Sequence, residues 1–321
     1  MKRRLLLSGT AASLCTPRMV FAQSGRTDAP LTIVFPYGAG GAVDGIIRTL
    51  AEYMSGALKR PVIVDNKPGA NSIIGAEYVA RARPDGNTLL WAAWPTLTTN
   101  LALYPSIRFS HSNFAPITST IQGYTGLSVA NQVPAHNFKE LVDHVKKNGN
   151  QLAYGSLGKG GSPHLMMELG SIVSGVKFDL VPYKSDVQGI GDLLGGHLTA
   201  YAGPIANQAP HHQAKTLRII AISSENRLPD LPDVPTFKEA GFPELVVSYW
   251  HGVVAPAGMS RNLITEFNQV IAAGMQQPSV KGKLALDQRV MTSSPESFKS
   301  LIESDTKKWG DLIRSRGIKL E

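Results

Sequence analysis

Two glycine-rich turns carry the residues best suited to chemistry. The first, Pro36-Tyr37-Gly38-Ala39-Gly40-Gly41-Ala42-Val43-Asp44, follows the apolar run Leu31–Phe35 and opens a helical stretch. The second, Tyr154-Gly155-Ser156-Leu157-Gly158-Lys159-Gly160-Gly161-Ser162, again lies between a strand-like run and a helical one. Glycines at such a turn let backbone N–H groups approach a ligand, and a helix N-terminus favours negative charge. Tyr37 adds a phenolic hydroxyl and a flat apolar face. A sharp turn that needs positive φ accounts for either loop alone. Their recurrence in both halves of the chain points to a paired grip on an anion, one loop at each end of a carboxylate.

The same residues argue against several enzymes. A dinucleotide fingerprint needs G-x-G-x-x-G/A, and the first loop has Val43 at the third position. Asp65 stands where a ribose-binding acid is expected, but Asp44 in the first helical turn would repel a pyrophosphate. In the second loop Lys159 is followed by Gly160 rather than Ser or Thr, so it is not a phosphate-binding Walker loop. Tyr154 occupies the first glycine position of a nucleophile elbow around Ser156. His211 and His212 are adjacent and point apart on a helix, and no H-E-x-x-H occurs. His164 either helps to bind an anion or packs and caps its own helix. No acid–base constellation, metal site or cofactor is expected.

The elements that must hold these loops alternate between strand and helix. Strands are expected at Leu31–Phe35, Pro61–Val64, Thr88–Ala92, Leu152–Tyr154, Leu180–Val181, Leu198–Tyr201 and Leu217–Ile222. Helices fall at 43–58, 72–82, 163–173, 187–194 and 205–213. Short apolar strands separated by such helices imply βαβ units and mostly parallel sheets. Asn137 and Glu140 have capping-box spacing, Ser260 starts a helix carrying Leu263, Phe267 and Ile271, and Ser294-Pro295 opens the last one. Two stretches break the alternation, 117–130 and 245–255, and read as crossings between lobes. The chain thus divides into one lobe of 23–121 with 251–321 and a second of 122–250, with a cleft between them.

Met1-Lys2-Arg3-Arg4, an apolar stretch and Val20-Phe21-Ala22 describe a signal peptide over 1–22, too short and interrupted to cross roughly 30 Å of hydrocarbon. The paired arginines fit either a twin-arginine or an ordinary Sec signal. Cys15, preceded by bulky Leu14, is not read as a lipidation site. Removing Lys2, Arg3, Arg4 and Arg18 takes the formal charge from +8 to +4, too little to indicate a nucleic-acid partner. The only cysteine leaves with the signal, so the exported chain rests on its core without disulfides.

Several motifs in order resemble the Bug family, the solute receptors of tripartite tricarboxylate transporters. They include Pro36-Tyr37 through Gly40-Gly41 and Asp44 to Arg48, Asn66-Lys67-Pro68-Gly69-Ala70-Asn71, Arg83-Pro84-Asp85-Gly86, and Asn100 to Tyr104. The likeness continues through Ser162-Pro163-His164, Val181-Pro182-Tyr183-Lys184, Asp192 to Gly196, and Pro232-Asp233-Val234-Pro235-Thr236. It spans essentially the whole mature chain. The resemblance implies a two-lobed α/β "Venus flytrap" in the periplasm that holds a small carboxylate and presents it to membrane subunits. Carried over residue by residue, it assigns ligand contacts to Tyr37, Gly40 and Gly41 from the first loop. Ser156, Gly158 and Ser162 come from the second, with Thr96 lining the cleft. It also implies a monomer with no enzymatic activity. A periplasmic sensor feeding a signalling receptor would share this fold and site, and a dinucleotide-dependent enzyme is the remaining alternative.

The sequence departs from that pattern after Tyr183-Lys184, where Ser185-Asp186-Val187-Gln188 replaces the usual glycine and Ala-Pro pair. Thr199 stands where an acid is common, and Ile47 where alanine usually precedes the arginine. Asp186 at a cleft-facing helix start would repel a ligand carboxylate or welcome an amine. That leaves room for an amino acid, an aromatic acid or a neutral solute; the alternative is that Asp186 caps its helix.

Overall fold

The computed structural model describes residues 29–319; the signal peptide assigned to 1–22, with Cys15, lies outside them. Eleven strands among the described residues form two sheets. They are β1 (Leu31–Phe35), β2 (Val62–Asn66), β3 (Thr88–Ala93), β4 (Phe114–Gly123), β5 (Thr125–Val129), β6 (Gln151–Ser156), β7 (Lys177–Pro182), β8 (Ala200–Pro204), β9 (Arg218–Ile222), β10 (Tyr249–Pro256) and β11 (Gln288–Val290). One sheet runs β11-β4-β10-β3-β1-β2 and the other β7-β6-β8-β5-β9.

β1 shows why these segments are strands. Leu31, Ile33 and Phe35 pack on one face against Ile46, Leu50 and Met54 of the helix Ala42–Leu58 and Phe267 of Arg261–Met275. Val34 joins the opposite cluster with Leu90 and Trp94. A strand buried on both faces reads as an unbroken apolar run, and each such side chain contributes about 1.5–3 kcal/mol. The caps fall where the sequence puts them. Asn137 accepts from the Glu140 N–H at 2.9 Å, Ser260 from Leu263 at 3.4 Å and Ser294 from Ser297 at 3.1 Å.

The expected mostly parallel sheets are mixed. β1 runs parallel to β2 and β3, and β6 to β7 and β8, because helices connect them. β10 and β11 run antiparallel to β4, and β5 runs antiparallel to β8 and β9. A chain that leaves one sheet through β4 and returns through β10 must enter in the reverse direction, which fixes those antiparallel pairs.

Only Tyr124 separates β4 from β5. The return crossing is tied to it: the Ser223 hydroxyl donates to the Val247 carbonyl at 2.7 Å and accepts from the Thr125 N–H at 2.9 Å. Gly123 is required here, since a Cβ on it would lie 2.2 Å from the Tyr249 ring. β3 ends at Ala93 opposite His251, near the start of β10, and β8 ends at Pro204 opposite Thr125, the start of β5. The carboxyl edges of both parallel units therefore meet at these crossings. In each sheet the first parallel strand lies between the second and third, which makes a crevice at its carboxyl end the natural ligand position.

Candidate functional site

Both glycine loops leave carboxyl strand ends at this edge, after β1 and after β6, and they are built alike. Gly41 precedes the first helix at φ −74°, ψ 167°; Gly161 precedes the helix Ser162–Ser174 at φ −73°, ψ 163°. Gly40 and Gly160 take φ of +88° and +84°, a region that glycine enters freely. The Gly40 N–H donates to Asp44 Oδ2 at 3.0 Å, and the Gly160 N–H donates to His164 Nδ1 at 3.0 Å. In each loop, then, a side chain in the first helical turn folds back and closes the turn. The N–H groups that begin each helix, which have no partner within it, are thereby presented at the edge.

Asp44 is buried and serves the loop rather than opposing a ligand. Arg48 donates to both its oxygens, at 2.9 and 3.2 Å, and Asn66 Nδ2 donates to Oδ1 at 2.9 Å. Burial alone would raise this carboxyl, but Arg48, the Gly40 N–H and Asn66 outweigh it and hold it down at about 2. Asn66 also donates to the Tyr37 carbonyl at 3.1 Å. His164 accepts through Nδ1, so its ring proton sits on Nε2, 3.6 Å from Glu168.

The Tyr37 hydroxyl lies against Ser72 and Thr96; burial pushes its pKa up while those two hydroxyls counteract the rise. Thr96 is buried and shares a 2.8 Å hydrogen bond with Ser72. Ala70, Asn71 and Ser72 have φ of 46°, 50° and 76°, three successive non-glycine residues in the left-handed region. This strained turn is held by a reciprocal pair, Asn71 Nδ2 to Asn100 Oδ1 at 2.8 Å and Asn100 Nδ2 to the Asn71 carbonyl at 2.7 Å. Trp94, which begins the turn carrying Thr96, donates to Asp305 Oδ2 at 3.1 Å, and Trp250 donates to the same oxygen at 2.8 Å. The last helix (Pro295–Ser315) thus fixes the ends of two strands at the crossing edge.

In the second loop, Ser156 ends β6 fully buried, and its Oγ has no hydrogen-bond partner among the described residues. Ser162 is the first helical residue. The Gly158 N–H donates to the Ser156 carbonyl at 3.0 Å, so Gly158, like Gly40, shapes its turn with its own N–H already bonded. The two units touch here: Thr99 Oγ1 donates to the Gly160 carbonyl at 3.3 Å, and Arg316 reaches Glu168 at 3.0 Å.

Asp186 is the first residue of the helix Asp186–Leu194, and the cap is Ser185, which accepts from the Gln188 N–H at 3.3 Å. The Asp186 carboxylate instead accepts from Tyr201 at 2.5 Å and from Asn207 at 3.0 Å. Sequence reasoning gave no role to Ser72, Asp305 or Thr99, which act only through contacts distant in the chain. Arg48, Asn66, Asn71 and Asn100 stood inside recognised motifs, yet without a function. A wide groove of about 720 Å³ lies elsewhere, beside the helix Ile73–Ala80. Its cations Lys67, Arg81 and Arg83 pair with Asp65, Glu77 and Asp85 at 3.0, 3.0 and 3.6 Å. Among the described residues no group of acids, histidines and cysteines is suited to a metal, and no helix is long and apolar enough to cross a membrane.

Two α/β units whose similarly built loops present N–H groups at a shared edge define a two-lobed solute-binding protein. Residues 46–318 match the profile of the Tripartite tricarboxylate transporter family receptor. The chain belongs to this family of periplasmic receptors. It is 29% identical to BugT of Bordetella pertussis over 295 residues, 91% of this chain and 90% of that protein. It is similar to the solved structure of R. palustris Rpa4515 with adipate, at 27% identity and TM-score 0.76, covering 91% of this chain and 99% of that one. MatC from Rhodopseudomonas palustris, with bound malate, shares 25% identity at TM-score 0.72, covering 89% and 99%.

Proposed function

We propose that this protein captures a small carboxylate between lobes formed by 23–121 with 251–321 and by 122–250, and delivers it to the membrane subunits of a tripartite transporter. The observation that carries the reading is the matched pair of loops, Gly40-Gly41 with Asp44 and Gly160-Gly161 with His164, at the shared edge. Their helix N-termini offer N–H donors and positive dipole ends to an anion. Tyr37, Thr96, the unpartnered Ser156 hydroxyl and Ser162 supply further polar groups. Adipate and malate in two related structures support a carboxylate ligand. The protein acts as a monomeric receptor without catalytic activity, exported by a Sec or twin-arginine signal. Ligand closes the lobes only through contacts made better in the closed form.

Thermal unfolding of the exported chain across a panel of carboxylates, with sugars as controls, tests this reading. A ligand at 100 times its Kd stabilises by about 2.7 kcal/mol. A shift with one carboxylate class supports the reading; a shift with sugars alone contradicts it.

A further inference from the structure

We propose that Asp186 is a specificity-determining residue that favours, among small carboxylates, those that also carry a protonated amine. The inference rests on the proposed carboxylate site and adds the second half of the ligand.

Its basis is where the carboxylate lies. Asp186 follows β7, yet its oxygens are held by Tyr201 of β8 and Asn207 of the next helix. β6 lies between β7 and β8, so the Asp186 side chain reaches across the carboxyl end of β6, the strand that carries Ser156 and the second glycine loop. At the end of β8, Gly203 makes room for Tyr201 and Asp186 together: a Cβ there would stand 2.6 Å from the Tyr201 ring. The same Cβ would stand 3.2 Å from Asp186 Oδ1, so the glycine lets the hydrogen-bonded pair of Tyr201 and Asp186 lie against the end of the strand. Burial and Asp287 raise the hydroxyl of Tyr249, in β10 of the other sheet, and Asp186 adds the smallest push from the second lobe.

Tyr201 and Asn207 each supply one donor, one to each Asp186 oxygen. A carboxylate oxygen has two acceptor positions, so each keeps one for a ligand while the existing bonds fix its orientation. No side-chain cation answers Asp186 in these bonds, and Arg48, beside the first loop, is committed to Asp44 and Asn66. The cleft therefore pairs N–H donors at the glycine loops with an oriented anion at the crossing. A ligand with a carboxylate alone meets only repulsion at Asp186, whereas an ammonium gains charge-assisted hydrogen bonds there.

Titration calorimetry on the exported chain with matched acids differing only by an amine (glutamate and glutarate, aspartate and succinate, 4-aminobutyrate and butyrate) tests this. The expected result is at least one aminated acid bound tenfold or more tighter than its partner. In Asp186→Asn that preference falls to near unity while the plain acid binds as well or better. The ratio in the wild-type chain needs no variant, so it stands even if Asp186→Asn fails to fold. Plain acids that bind as tightly as their aminated partners overturn the role of Asp186 and leave the carboxylate site intact. An amine preference that survives unchanged in a folded Asp186→Asn does the same. Failure of every acid to bind, with or without an amine, overturns both readings.

Discussion

Asp44 and His164 occupy equivalent places in the two lobes: each sits in the first turn of its helix and accepts, at 3.0 Å, the N–H of the glycine four residues before it. The shared geometry makes both side chains parts of the loop. Asp44→Ala would take from Arg48 and Asn66 the acceptor they share and from the Gly40 N–H its partner. Breaking a fully buried pair costs more, but Arg48 remains half in water, so about 2 kcal/mol of stability should be lost. His164→Ala should cost about 1 kcal/mol, and His164→Asn, which can still accept from Gly160, should recover most of it. Denaturant midpoints at a constant slope check both. Full stability in Asp44→Ala would show that the ring of bonds around it does not hold the loop.

Gly40 and Gly160 share a conformation but not their surroundings. A Cβ on Gly40 meets nothing within 4 Å, whereas one on Gly160 would stand 2.4 Å from Leu103. Gly40→Val should therefore fold with a backbone cost of about 1–2 kcal/mol and bind its carboxylate at least tenfold more weakly. Gly160→Val should be far less stable, because strain and overlap add. Comparable unfolding midpoints for the two variants would contradict the contact between Leu103 and the second loop.

Acid should destabilise the protein in two windows. Burial drops His251 from 6.5 to about 4, and Trp91 Nε1 donates to its Nδ1 at 3.3 Å. The fold thus favours neutral His251, a contribution fully present above pH 6.5 and lost as pH falls through about 4. Asp44, held at about 2, keeps its contribution above its unfolded value near pH 4 and loses it as pH falls through about 2. Unfolding followed by tryptophan fluorescence from pH 8 to pH 3 should show the first decline, and His251→Gln should remove it. An unchanged slope in that variant would assign the decline to other groups.

Much of this arrangement was legible in the chain. Leu31–Phe35 is an unbroken apolar run because β1 is buried on both faces, and the glycines before Asp44 and His164 mark the turns directly. Ser260 and Ser294 cap their helices because capping depends on residues three apart. What was hidden depends on distance in sequence. Nothing near Asp305 announces that it receives Trp94 and Trp250, 211 and 55 residues away. The left-handed turn at 70–72 is held by the bonds between Asn71 and Asn100, 29 residues apart. The sheets are mixed because of where the chain crosses between them, which strand periodicity does not encode.

The most direct test is a crystal structure of residues 23–321 with the acid that stabilises them best. The account predicts a carboxylate within about 3 Å of the N–H groups opening the helices Ala42–Leu58 and Ser162–Ser174, with the Ser156 hydroxyl turned toward the ligand. A carboxylate found instead among Lys67, Arg81 and Arg83 in the outer groove, with both glycine loops empty, would contradict it.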